Sequence, residues 1–181
     1  MQNTKKNKIA FLDRDGVVNV DHGHVHSVEK FKLCKNFLNG ARHLMKEGFK
    51  LVIITNQAGI AKSYYTEETF INFSHWIYNY LKDEDVLISS TYYCPHHPNF
   101  SGECTCRKPK PQMILKALDD YNTSPDDCLL IGDKISDMKA AITAEIRRVY
   151  KLVDTGVLIS QSLYPEGNWE NFIDQSKKKY I

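Results

Sequence analysis

The sequence has little that would tie it to a membrane, to nucleic acid or to an extracellular setting. Among its 181 residues, no apolar run approaches the ~20 residues that a membrane-spanning helix requires. The apolar run over residues 9–12 is too short for the core of a secretory signal. The formal net charge of +2 is too small to attract nucleic acid or an anionic membrane. We therefore expect a cytoplasmic protein with no membrane and no nucleic acid among its partners.

Internal repeats and low-complexity linkers are also missing from the sequence. A length of 181 residues suffices for one sizeable hydrophobic core and does not call for a second domain. We expect one domain over residues 1–181, and a monomer, because no exposed apolar repeat stands out.

What the sequence does have is an alternation of apolar runs with amphipathic segments. Five apolar runs predict buried strands, over residues 9–12, 49–54, 86–93, 128–131 and 146–153. Helical spacing begins near residues 36, 66, 111 and 136, and a short closing helix is compatible with residues 168–175. This alternation predicts an α/β fold, with a doubly wound, mostly parallel sheet and helices on both faces.

Polar residues follow the predicted strands at the points where the strands end. They are, strand by strand, Asp13 with Asp15, Thr55 with Asn56, and Asp133 with Lys134. The carboxyl ends of parallel strands meet at one edge of a sheet, where α/β proteins bind ligands. Two crowded carboxylates there predict a shared divalent cation, because burying both unpaired would be costly. A simple turn at the Asp pair is the alternative.

A second group of metal-binding residue types lies in the loop after the third predicted strand. Cys94 and His96 are separated by one residue, as are Cys104 and Cys106, so each pair can face one side of an extended segment. Together they predict a tetrahedral site with three thiolates and one imidazole, in which zinc would be structural. His97 is an alternative ligand. A disulfide is the main alternative structure, although a reducing cytoplasm disfavours it.

The order of these motifs resembles that of the haloacid dehalogenase superfamily of phosphotransferases. The resemblance implies that Asp13 is a nucleophile that forms an aspartyl-phosphate, and that Asp15 protonates the leaving oxygen and later activates water. It implies that Thr55 and Lys108 neutralise charge on the transferring phosphoryl group. Mg²⁺ would be held by Asp13, the backbone carbonyl of Asp15 and Asp133.

A longer set of motifs resembles the heptose bisphosphate phosphatases, which have a Rossmann-like haloacid dehalogenase fold with a zinc-bound loop and no large cap domain. The matching stretches begin at Phe11, Thr55, Tyr92, Cys104 and Gly132. The residues that this resemblance assigns to substrate binding are Asp21, His22, Gly23, His24, Asn56, Gln57, Ala58, Arg107 and Lys134. Of these, Arg107 would recognise a retained phosphate. His24 stands where Tyr is common in that family, and Ala58 stands where Ser is common.

The resemblance implies a Mg-dependent phosphatase that hydrolyses the C7 phosphate of a small molecule, D-glycero-D-manno-heptose 1,7-bisphosphate. Heptose 1-phosphate would be the product, on the route to ADP-heptose and the lipopolysaccharide core. A histidinol-phosphate phosphatase is the nearest alternative, and a zinc-stapled binding module without catalysis is a remote one. The sequence leaves open the preferred anomer at C1, the range of sugar phosphates accepted, and whether Asp137 joins the metal site or only caps its helix.

Overall fold

A parallel sheet forms the centre of the protein. In a computed structural model, which describes residues 7–153 and 165–178, the sheet has six strands in the order β3-β2-β1-β4-β5-β6. Every neighbouring pair runs parallel. The strands are β1 (Lys8–Leu12), β2 (Phe49–Asn56), β3 (Ile88–Cys94), β4 (Cys128–Gly132), β5 (Val149–Leu152) and β6 (Glu166–Gly167).

Helices connect the strands. They are α1 (Phe37–Lys46), α2 (Ala58–Ala61), α3 (Glu67–Asp83), α4 (Pro98–Ser101), α5 (Gln112–Asp120), α6 (Ile135–Thr143) and α7 (Trp169–Lys178). Local sequence explains where α3 begins, because the Thr66 hydroxyl accepts a hydrogen bond from the Thr69 amide at 3.1 Å. In the described part of the chain, no helix combines the length and apolar character needed to cross a lipid bilayer.

Both faces of the sheet are covered, which explains why residues 9–12 of β1 are all apolar. Ala10 and Leu12 point into the core on the side of α1, α3 and α7. Ile9 and Phe11 point into the core on the side of α5 and α6. All four side chains are fully buried, as expected for a strand with parallel neighbours on both sides.

The predicted fold class is confirmed, and so are all five predicted strands and the four main helices. The closing helix α7 is also present and extends to Lys178. The sequence analysis missed β6, α2 and α4. Each has at most four residues, which is too short for a periodic pattern to be recognised.

The winding direction places the polar residues together. From β1 the chain adds β2 and β3 on one side of β1, and it later returns to add β4 on the other side of β1. The carboxyl ends of β1 and β4 therefore flank the point where the winding reverses, which is where doubly wound folds bind ligands.

Candidate active site

A cleft of about 450 Å³ lies at the carboxyl ends of the strands. Most residues that line it are polar or charged, and they come from the end of β2, from the segments that follow β1, β2 and β3, and from the start of α6 after β4. They are Asp13, Asp15, Asp21, Gly23, His24, Thr55, Asn56, Gln57, Ala58, Lys62, His97, Arg107, Lys108, Lys134, Ser136 and Asp137.

A buried lysine holds the floor of the cleft together. The Lys108 ammonium lies 2.9 Å from Asp13 Oδ1 and 2.7 Å from Asp137 Oδ1. It also donates a hydrogen bond to the Ile54 carbonyl at 2.9 Å. Asn56 brackets the Lys108 backbone, because its Oδ1 accepts from the Lys108 amide at 3.0 Å and its Nδ2 donates to the Lys108 carbonyl at 3.1 Å. The lysine is therefore fixed from both ends.

Three carboxylates share this floor, and we call Asp13, Asp133 and Asp137 the carboxylate cluster. Each offers an oxygen, and these oxygens all lie within 4.8 Å of one another. Burial, reinforced by repulsion from Asp137, Asp133 and Asp15, raises the pKa of Asp13 to about 8 even though Lys108 opposes the shift. Burial opposes the charge of Lys108, but its ion pairs with Asp13 and Asp137 outweigh this effect and raise its pKa. Negative charge therefore exceeds positive charge in the cluster.

The carboxylate cluster passes a test of fit for a divalent cation. Asp133 Oδ1 is buried, and within residues 7–153 and 165–178 nothing donates a hydrogen bond to it. Burial also raises the pKa of Asp133. A cation bound by oxygen would satisfy this atom and offset the excess charge, and carboxylate oxygens suit Mg²⁺. Gly16 (φ +94°) leaves the necessary room, because a Cβ there would lie 2.3 Å from Asp133 Oδ2.

Asp137 has two partners that account for its position. Its Oδ2 accepts a hydrogen bond from the Lys134 amide at 3.0 Å, which caps the start of α6. Its Oδ1 contacts Lys108. Asp137 therefore both caps its helix and belongs to the carboxylate cluster, whereas the sequence alone left these two roles as alternatives.

Asp15 is held by three side chains around its carboxylate. Arg14 Nη2 lies 2.9 Å from Oδ2, and Gln57 Nε2 donates to the same oxygen at 3.1 Å. Asn19 Nδ2 donates to Oδ1 at 3.0 Å. The Arg14 guanidinium is itself buried over the rings of Phe70 and Phe73. The Asp15 carboxylate therefore has a defined orientation beside Asp13.

The cations at the mouth of the cleft differ in how they are paired. Lys134 Nζ lies 3.0 Å from Asp21 Oδ2 and 3.7 Å from Asp133 Oδ2. Lys62 and Arg107 also line the cleft, and in the described residues neither has a carboxylate partner. Arg107 Nη1 donates to the His96 carbonyl at 3.1 Å. Two positive side chains thus remain available to a negatively charged ligand.

The four predicted zinc ligands also lie together, and we call Cys94, His96, Cys104 and Cys106 the thiol cluster. Their ligand atoms lie within 4.8 Å of one another. The thiols are free, and Cys94 Sγ to Cys106 Sγ is 2.9 Å, well beyond the ~2.05 Å of a disulfide. Burial, followed by the neighbouring Cys106 thiol, raises the pKa of Cys94. A bound cation would relieve this crowding, and sulfur with one imidazole suits zinc.

His97, the alternative zinc ligand, lies outside the thiol cluster. Its Nδ1 accepts a hydrogen bond from the Asn99 amide at 3.2 Å at the start of α4, and its side chain lines the cleft. His22 is exposed and does not line the cleft, although Asp21, Gly23 and His24 beside it do. Asp133 is not among the residues that line the cleft.

Sequence reasoning missed Lys62 and Ser136 as cleft residues. Ser136 lies in the first turn of α6, directly beside motif residues, so the position of that helix could have indicated it. Lys62 directly follows the four-residue helix α2, and no local pattern marks it.

Comparison with known proteins identifies relatives of this chain. A HAD-hydrolase-like family model matches residues 105–168. A curated D-glycero-beta-D-manno-heptose-1,7-bisphosphate 7-phosphatase from Haemophilus influenzae is 42% identical over 154 residues, covering 83% of each chain. Another with the same name, from Escherichia coli K12, is 42% identical over 164 residues, covering 88% of this chain and 85% of its own.

A solved structure shares the fold. It is D,D-heptose 1,7-bisphosphate phosphatase from B. bronchiseptica, complexed with magnesium and phosphate. It superposes with a TM-score of 0.80 at 24% sequence identity, covering 95% of this chain and 99% of its own. At that identity the likeness establishes the architecture of the sheet and helices and nothing further.

Proposed function

The chain belongs to the D-glycero-beta-D-manno-heptose-1,7-bisphosphate 7-phosphatase family, and from that premise we propose that it is a phosphatase for this sugar bisphosphate. It removes the phosphate at C7 and leaves heptose 1-phosphate and inorganic phosphate. The observation that carries the proposal is the contact of Asp13 with Lys108 at the floor of a cleft whose mouth holds two cations without carboxylate partners among the described residues.

In the first half of the reaction, a carboxylate oxygen of Asp13 attacks the phosphorus at C7. The bond between phosphorus and the C7 oxygen breaks, and that oxygen takes a proton from Asp15. In the second half, Asp15 takes a proton from water, whose oxygen attacks the phosphorus of the aspartyl-phosphate. Inorganic phosphate leaves and the Asp13 carboxylate is restored. Lys108 and Thr55 stabilise the negative oxygens of the transferring group.

The residues that would hold Mg²⁺ are Asp13, Asp133 and the backbone carbonyl of Asp15, with Asp137 beside them. When bound, Mg²⁺ supplies positive charge to the phosphoryl oxygens in a region that otherwise repels them. Lys108 alone leaves that region negative. The proposed enzyme therefore depends on Mg²⁺.

We propose that the thiol cluster binds a structural zinc ion, because four protein ligands leave no open position. The loop that carries the cluster continues directly into Arg107 and Lys108. Zinc would therefore keep both cations in place at the cleft.

The cations at the cleft mouth favour a bisphosphate over histidinol phosphate. Arg107 and Lys62 suit the phosphate that the product retains, whereas an amine would meet like charge. The sugar would meet Asp21, His22, Gly23 and His24. Asn56, Gln57 and Ala58 would line the phosphoryl side, with Lys134 at the magnesium and phosphate end.

One sheet runs through the described residues, which supports a single domain over 1–181. We propose a cytoplasmic monomer.

The test is a comparison of kcat/KM for the heptose bisphosphate, as α and β anomers, with kcat/KM for histidinol phosphate, with and without Mg²⁺. We expect a preference of at least about 100-fold for a heptose bisphosphate, because charge-assisted hydrogen bonds to the second phosphate contribute about 1.5–3 kcal/mol each. The relatives are named for the β anomer, and we expect the same preference here. A preference for histidinol phosphate would refute the proposal.

A further inference from the structure

Tyr65 is a buried tyrosine that the proposed reaction does not use. Its side chain is 8% exposed, and its hydroxyl donates a hydrogen bond to Gln57 Oε1 at 2.6 Å. Gln57 is itself 2% exposed, although it was assigned to the substrate on family resemblance. The Tyr65 hydroxyl is therefore directed at a side chain of the site.

The Gln57 amide links this tyrosine to the catalytic groups. Its Nε2 donates to Asp15 Oδ2 at 3.1 Å and to Thr55 Oγ1 at 2.7 Å. Its Oε1 accepts from the Tyr65 hydroxyl and, at 3.3 Å, from Arg14 Nη2. An amide turned the other way would place its oxygen against the Asp15 carboxylate and its NH₂ against two donors. The donors at Oε1 therefore determine which way the amide faces.

The surroundings of Tyr65 keep its ring in place and its hydroxyl protonated. Its ring packs against the backbone at Gly59, where a Cβ would lie 2.2 Å from the ring. On another side it stacks on His26, with ring centroids 4.6 Å apart and an interplanar angle of 17°. Burial raises the pKa of Tyr65 to about 12, so the hydroxyl remains a donor at neutral pH.

We propose that Tyr65 is a positioning residue for the general acid, acting through Gln57 to hold the Asp15 carboxyl in the direction of the leaving oxygen. The inference rests on the proposed function, in which Asp15 protonates that oxygen. Loss of the Tyr65 hydroxyl leaves Gln57 Oε1 with only the longer contact from Arg14, so the amide and the Asp15 carboxyl gain freedom to rotate.

The proposed role of Tyr65 predicts that its loss affects substrates with different leaving groups to different extents. A sugar alkoxide needs a proton from Asp15 as the P–O bond breaks, whereas p-nitrophenolate is a weak base and leaves without one. Since kcat/KM reports the steps up to the first irreversible one, it isolates this stage from the later hydrolysis of the aspartyl-phosphate. Tyr65→Phe should lower kcat/KM for the heptose bisphosphate about tenfold, a part of the 10²–10⁴ that acid catalysis supplies. It should change kcat/KM for p-nitrophenyl phosphate less than about twofold.

Two further variants separate this role from a loss of stability. Tyr78→Phe is the matched control, because the Tyr78 hydroxyl also donates to a side chain, Thr91 Oγ1 at 2.7 Å, but Tyr78 does not line the cleft. It should leave both kcat/KM values unchanged. Gln57→Leu should lower kcat/KM more for the heptose bisphosphate than for p-nitrophenyl phosphate, and it should lower the second value as well, because Gln57 Nε2 also donates to Thr55. The double variant should lose little more than Gln57→Leu alone, since Tyr65 acts through Gln57.

Equal losses with both substrates, or no loss with either, would overturn the proposal. If Tyr65→Phe lowers Tm strongly, the ratio of the two kcat/KM values still decides, because partial unfolding lowers both values by the same factor. A wild-type enzyme that ignores the heptose bisphosphate but hydrolyses another alkyl phosphate would refute the proposed substrate. Tyr65 would then be tested by the same ratio on that alkyl phosphate.

Discussion

The carboxylate cluster and the thiol cluster differ in how the chain assembles them. The carboxylate cluster joins residues from the ends of β1 and β4 and the start of α6, which only the sheet topology brings together. The thiol cluster comes from one stretch, residues 94–106. The first therefore depends on the whole fold, whereas the second can form with its own loop.

The two clusters also differ in internal charge balance. Lys108 contacts two members of the carboxylate cluster and neutralises part of its charge, which leaves an excess of negative charge that a bound hard cation would offset. The four ligand residues of the thiol cluster can fill a tetrahedral coordination sphere by themselves. The carboxylate cluster thus lies at a cleft that is open to a ligand, whereas the thiol cluster would hold its own loop closed around a bound ion.

The largest expected effect comes from the carboxylate cluster. Asp13→Asn removes the nucleophile while keeping its shape, and it should lower kcat by about 10⁴-fold or more. Zinc content should stay the same, because the thiol cluster is untouched. Steady-state kinetics with elemental analysis measures both. Asp83→Asn, an exposed carboxylate at the end of α3, is the control. Activity within tenfold of wild type in Asp13→Asn would contradict the assignment of the nucleophile.

A substitution in the thiol cluster should lower the stability of the protein more than its activity. Cys104→Ser should lower bound zinc well below one per chain and cost about 2–3 kcal/mol, which for a chain of this size lowers Tm by roughly 5–10 °C. Calorimetry and metal analysis provide the readouts, with Cys34→Ser, outside the cluster, as the control that keeps zinc. Unaltered zinc content in Cys104→Ser would show that the cluster is not the zinc site.

Removal of Mg²⁺ should instead abolish turnover, reversibly, with little change in Tm.

The raised pKa of Asp13 predicts how Mg²⁺ binding depends on pH. With a pKa of about 8, well above its ordinary value, the carboxyl is protonated below pH 8 in the metal-free protein, and Mg²⁺ must displace that proton. Affinity for Mg²⁺ should therefore rise by up to about tenfold per pH unit from pH 6 to 8 and level off above. The folded metal-free protein keeps this proton up to a higher pH than the unfolded chain does. Its free energy of unfolding should therefore fall as pH rises from about 4 to 8. Titration calorimetry that finds the same Mg²⁺ affinity at pH 6 and 8 would disprove this.

The smallest expected effect lies at the cleft mouth. Lys62→Ala should raise KM for the heptose bisphosphate about tenfold, because one charge-assisted contact to the retained phosphate is lost. KM for a monophosphate such as p-nitrophenyl phosphate should not change, since it lacks that group. Lys139→Ala, on the exposed side of α6, is the control. Equal increases in KM with both substrates would place Lys62 at the reacting phosphate instead.

Much of the fold and the site follows from local sequence. The apolar run of β1 predicts a strand buried on both faces, and the position of Asp13 after it then predicts an edge for ligand binding. The spacing of Cys94 with His96 and of Cys104 with Cys106 predicts the members of the thiol cluster, because these residues meet within one loop.

What local sequence could not predict depends on packing between distant segments. The Tyr65 hydroxyl reaches Gln57 only because its ring packs against Gly59, and no spacing rule encodes that contact. Lys62 reaches the cleft through a helix of four residues, too short to leave a period in the sequence. The contact of Lys108 with Asp137 joins the end of one loop to a helix that follows β4.

The most direct test of the central claim is a ³¹P NMR time course of the purified protein with Mg²⁺ and D-glycero-β-D-manno-heptose 1,7-bisphosphate. The account predicts that the C7 phosphomonoester signal is replaced by inorganic phosphate while the C1 phosphate signal persists. Loss of the C1 phosphate first, or two unchanged phosphate signals, would contradict it.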